Sequence, residues 1–138
     1  MRPSAIAPLL VSGMLAVGCT TTGGGGDTLN VPAGRTTSVA TFSIFDRTSC
    51  QGGELATARI VQPANGTVRV KPVTRRANAE GFRAGDAKCT GSTFRGQDVL
   101  YTPDRGYRGL DRFTVRFSWN ERPGSRRTAN ETYRVNVQ

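Results

Sequence analysis

Arg112-Phe113-Thr114-Val115-Arg116-Phe117-Ser118-Trp119 is the stretch that decides the fold. Its apolar side chains occupy odd positions and its polar ones even positions. That period of two sets one face of a strand against a core and the other toward water. After a break at Glu121-Arg122-Pro123-Gly124-Ser125 the alternation resumes, with Tyr133, Val135 and Val137 against Thr132, Arg134 and Asn136. Upstream, Val99 and Tyr101 lead into Thr102-Pro103-Asp104-Arg105-Gly106, a turn with Pro and Gly where turns need them. Further back, Ala40, Phe42 and Ile44 mark one half-buried strand, and Ala56, Ala58 and Ile60 another. Pro63-Ala64-Asn65-Gly66 supplies the next turn, where Gly66 is able to take positive φ, and Val68 and Val70 alternate after it. No segment carries a helical period. Six or seven short strands in roughly 110 residues predict an all-β, two-sheet antiparallel sandwich.

Residues 74–93 break this pattern. The segment is polar and irregular, carries Cys89, and reads as a long hairpin insert pinned to the start of the domain by Cys50.

The 138-residue chain has three cysteines and no histidine. Without histidine there is no Ser-His-Asp or Cys-His catalysis and no His-ligated zinc. Paired carboxylates remain possible in principle, but ten acidic residues always offer pairs. Lys71 and Lys88 sit in no nucleophile motif. Asp98, Asp104 and Asp111 are scattered among arginines rather than clustered as calcium ligands. Neither an enzyme, a cofactor nor a metal is expected.

The first residues set the compartment. Arg2 precedes an uncharged apolar run from Ala5 to Val17, too short to span a bilayer comfortably. Residues 1–18 are therefore read as a signal peptide. Leu15-Ala16-Val17-Gly18-Cys19 resembles a bacterial lipobox, with Ala16 at the position usually held by Leu. The resemblance implies that Cys19 is acylated and becomes the mature N-terminus. An ordinary secretory signal with a chance cysteine is the bland alternative. Thr20 to Gly26 then form a polar tether, so that residues 19–28 hold the domain at 29–138 off a membrane. Thr20 is not the Asp linked to inner-membrane retention in some bacteria, so the outer membrane is expected over the inner. In an oxidising compartment Cys50 and Cys89 most simply form one disulfide, because no Cys-x-x-Cys spacing points to redox work.

Nineteen Lys and Arg face ten Asp and Glu, and all but two of the basic residues are arginine. A codon bias would explain arginine over lysine but not the excess of charge. The functional reading is an anionic partner, met through the outward positions Arg112, Arg116 and Arg134 and through Arg122, Arg126 and Arg127 at the turn. Arg75, Arg76 and Arg83 would extend such a patch from the insert. Nucleic acid is not expected as the partner of an exported, lipid-anchored chain.

Ala58-Arg59-Ile60-Val61-Gln62-Pro63-Ala64-Asn65-Gly66-Thr67-Val68, followed by Leu100-Tyr101-Thr102-Pro103-Asp104-Arg105-Gly106-Tyr107-Arg108-Gly109-Leu110-Asp111-Arg112-Phe113-Thr114, resembles the bacterial Ig-like, cadherin-like repeat domain. The likeness covers most of residues 29–138 and implies an Ig-like sandwich of about seven strands. It implies that Tyr107 and Phe113 plug the sandwich and that Asp111 bonds backbone N–H groups at the turn before its own strand. Members of that family usually stand in tandem and lack the 74–93 insert. The family is reused for unrelated purposes, so the likeness implies architecture more than activity. The expectation is a lipid-anchored protein of the bacterial cell envelope. Its domain would be a non-catalytic binding or structural module for a protein or for an anionic wall or lipopolysaccharide component. An accessory subunit of a larger envelope or secretion assembly is the second reading.

Overall fold

A computed structural model describes residues 27–46, 48–77 and 88–138. The segment 1–18 read as a signal peptide, Cys19, all but the end of the segment read as a tether, Arg83 and the centre of the insert lie outside the described residues. Two sheets form the body of the domain. One holds β1 (Thr28–Val31), β9 (Ser125–Val137), β8 (Gly109–Arg122) and β5 (Thr57–Val61), in that order. The other holds β2 (Thr37–Phe42), β7 (Thr93–Pro103) and β6 (Gly66–Arg76). The two-residue strands β3 (Phe45–Asp46) and β4 (Gln51–Gly52) pair beside them. Strand sets β5-β8-β9 and β2-β7-β6 reproduce the C-F-G and B-E-D sets of an Ig-type sandwich. Among the described residues all pairings are antiparallel except that of β1 with β9, which is parallel.

The alternation seen in the sequence is the partition between core and water. Phe113, Val115 and Phe117 on β8, Val135 and Val137 on β9, and Val99 and Tyr101 on β7 are all buried. Val31 and Val68 join them from β1 and β6. Aromatic rings bridge the sheets: Phe42 stacks on Phe117 with centroids 4.0 Å apart, and Tyr101 on Phe113 at 5.8 Å. Trp119 continues the inward row and meets Phe42 at 5.5 Å. Polar groups also tie the layers. The buried Gln97 amide accepts from the Ala56 N–H at 3.0 Å and donates to the Ala56 carbonyl at 2.9 Å, clipping β7 to the start of β5.

Three local expectations change. Gly66 opens β6 without a positive φ. Its requirement is space, because a Cβ there would stand 2.7 Å from both the Thr102 carbonyl oxygen and Tyr101 Cε2. Asp111 does not serve the turn before its own strand. It reaches the Pro63–Asn65 turn, accepting from the Ala64 and Asn65 N–H groups at 3.2 and 3.0 Å and from the Tyr101 hydroxyl at 3.0 Å. The insert is also more ordered at its base than its composition suggests. β6 and β7 stay paired out to Arg76 opposite Thr93, so Thr74, Arg75, Arg76 and Thr93 belong to strands. Just beyond them the Cys50–Cys89 disulfide ties the insert back to the β3–β4 hairpin, with Cys89 fully buried.

Candidate anion-binding face

The four-stranded sheet turns the even-numbered side chains of β8 and β9 to solvent. β8 presents Arg112, Thr114, Arg116, Ser118 and Asn120, while β9 presents Arg126, Thr128, Asn130, Thr132 and Arg134. Thr57, Arg59 and Val61 continue the face on β5. No Asp or Glu occupies an outward position on any of its strands. Two carboxylates border it: Glu54 shares a hollow of about 220 Å³ with Arg126 at one end of the face, and Asp111 borders the Arg112–Arg134 pair at the other.

Register places the arginines in rows across the strands. Arg112 stands directly opposite Arg134, and Arg116 directly opposite Arg59. Directly opposed side chains have Cβ atoms roughly 5 Å apart, and like charges there repel. Arg126 lies opposite Asn120, four residues further along β8. Between these rows run hydroxyl rows, in which Thr114 and Thr132 share a hydrogen bond at 3.0 Å, and Ser118 and Thr128 one at 3.4 Å. At the far end Thr28, Asn65, Leu110, Asp111, Arg112 and Arg134 line a hollow of about 580 Å³. Leu110 is 71% exposed there.

Not every arginine named from the sequence joins this face. Arg127 lies opposite Trp119, on the other side of β9, and its Nε donates to Glu121 at 2.9 Å. Arg122 sits at the β8–β9 turn opposite Ser125. Arg75 and Arg76 belong to β6 in the other sheet. Arg76 donates to the Gly91 carbonyl, and Arg75 pairs with Asp98 at 2.5 Å. Burial of Asp98 pushes its carboxyl up, but the bonds from Arg75 and Thr41 outweigh that and hold it below the usual carboxylate range. Arg59 was readable as an outward position, but only the β5–β8 register shows that it faces Arg116.

Two tyrosines lie in the core beneath the face. Burial pushes the Tyr133 phenol up to about 12, with the Glu131 carboxylate adding to the effect, and burial together with Asp111 pushes Tyr101 higher still. Among the described residues no three His, Cys, Asp or Glu side chains gather as a metal site. What the arrangement offers chemically is a broad array of guanidinium and hydroxyl donors, the groups that bond phosphate and carboxylate oxygens. No protein-family model matches the chain, and no curated protein and no solved structure matches it.

Proposed function

We propose that this is a lipid-anchored cell-envelope protein whose Ig-like domain binds an anionic envelope polymer through the outer face of the four-stranded sheet. The observation that carries the reading is the pair of directly opposed arginines, Arg112–Arg134 and Arg59–Arg116, on a face whose strands present no carboxylate outward. Solubility alone is served by charges of either sign, interspersed. Two like-charge pairs set side by side weaken the sheet, and an anion between them turns repulsion into binding. The lipobox-like Cys19 and the Thr/Gly tether support the location at a bacterial envelope, with the outer membrane favoured by Thr20. The Tyr101-to-Phe113 stretch supports kinship with bacterial Ig-like domains.

The test is the affinity of the full chain, in nonionic detergent, for long-chain linear polyphosphate as salt is raised. Log affinity falls steeply and linearly with log salt, as released counterions require. The triple variant Arg112→Gln, Arg116→Gln, Arg134→Gln loses at least tenfold in affinity at low salt. Binding that ignores salt, or a variant that binds like the parent, would sink the proposal.

A further inference from the structure

The arginines of the face form an elongated array, and its shape says how a polymer would lie. Along β8 the charged rows fall at Arg112, Arg116 and Asn120, the last marked by Arg126 across the register. Four residues of antiparallel strand separate each row from the next, about 14 Å at ~3.4 Å per residue. The outer rows are therefore about 27 Å apart. Across the strands the five arginines occupy only β9, β8 and β5, a band about 10 Å wide at ~4.8 Å per strand. The hydroxyl rows at Thr114 and Ser118 lie midway between the charged ones.

We infer that the occupant is a linear polyanion lying parallel to β8 and β9, with acidic groups that recur about every 14 Å or at a whole fraction of that distance. Each charged row takes one acidic group, and each hydroxyl row bonds uncharged oxygens of the intervening backbone. A compact anion would need only the Arg112–Arg134 row, which leaves the Arg59–Arg116 pair and Arg126 without a purpose. This inference rests on the polyanion reading above and narrows it to one orientation and one repeat.

The experiment uses the full chain in detergent, linear polyphosphates fractionated by length, and three variants that each neutralise one row. These are Arg112→Gln with Arg134→Gln, Arg59→Gln with Arg116→Gln, and Arg126→Gln. For the parent protein, affinity climbs with chain length until the chain spans the three rows and then flattens, because each added row engages at high effective concentration. Each row variant lowers the affinity for a spanning chain at least threefold, and the Arg126→Gln variant flattens at a shorter length than the parent. Chains too short to reach a second row lose less than twofold in any single variant. If length has no effect, or if only one row matters, the lengthwise inference is overturned while polyanion binding itself stands. If vesicles of anionic lipid compete away every chain and bind equally well to all three row variants, the occupant is a membrane surface and the inference fails. If no chain of any length binds, the polyanion reading falls and this inference with it.

Discussion

Replacing Asp111 tests how the sandwich closes at the end next to the Arg112–Arg134 row. Its carboxylate is buried at 7% exposure. It accepts four hydrogen bonds: from the N–H groups of Ala64, Asn65 and Arg112 and from the Tyr101 hydroxyl. Asp111→Ala removes the acceptor for all four. The Tyr101 hydroxyl keeps a long contact of 3.4 Å to the Asn65 carbonyl, and water reaches the exposed Ala64. A buried donor left without a partner costs about 1–3 kcal/mol. With those two partial rescues the loss comes to about 3 kcal/mol, a large part of the roughly 5–15 kcal/mol that holds a domain folded. Asp111→Asn keeps one oxygen but sets an NH2 group against either the Ala64 or the Asn65 N–H, so it costs about 2 kcal/mol. Urea unfolding followed by Trp119 fluorescence reads both. With m near 1.5 kcal/mol/M, the alanine variant moves the midpoint down by about 2 M. An alanine variant that loses less than about 1 kcal/mol, or an asparagine variant as stable as the parent, would refute the reasoning.

Three further outcomes follow from the same geometry. Asn substituted at Gly106, which has φ +81° and open space around its Cβ, is nearly neutral in thermal melts, whereas Asn at Gly66 strikes the Tyr101 ring and costs about 3 kcal/mol or more. Because Asp98 ionises more readily folded than unfolded, its contribution is present above the unfolded value of 3.8 and is lost as pH falls through the lower folded value. Urea midpoints measured from pH 6 to pH 2 therefore decline less steeply for Asp98→Asn than for the parent. Removing the disulfide with Cys50→Ser and Cys89→Ser opens a loop with a sequence separation of 39 and lowers stability by about 4 kcal/mol, read as a shift in denaturant midpoint.

The sequence made the core legible wherever side chains alternate against a single partner layer. Phe113 to Trp119, Tyr133 to Val137, and Val99 with Tyr101 all sit where their parity puts them. Pairing across strands was not legible, because register depends on contacts between residues far apart in the chain. That is why Arg112 and Arg116 read as outward, yet their standing opposite Arg134 and Arg59 needed the fold. It is also why the sequence alone groups Arg127 with Arg126. One residue of offset sends it to the other side of the sheet, where Glu121 holds it. Gln97 and Asp111 were obscure for a related reason. Each is a polar side chain at an inward position whose backbone partner lies more than 40 residues away. A polar residue that interrupts an inward apolar row was the available signal. Composition misled at the insert, where the polar residues Thr74, Arg75, Arg76 and Thr93 pair as strands because the disulfide and the Val68–Val70 run anchor them from either side.

On the function proposed above, the outer face of the four-stranded sheet meets a polyanion in the cell envelope. The most direct measurement places a photo-crosslinking amino acid at Thr114, between the charged rows, and in a second variant at Thr67, outward on the other sheet. Both full-length variants are irradiated in living cells of the native host, and the adducts are digested with protease and with polysaccharide- and phosphodiester-cleaving treatments. The account predicts adducts from Thr114 and not from Thr67, heterogeneous in size, resistant to protease and collapsed by treatments that cut an anionic polymer. A single protein adduct of fixed mass from Thr114, or equal adducts from both faces, would contradict it.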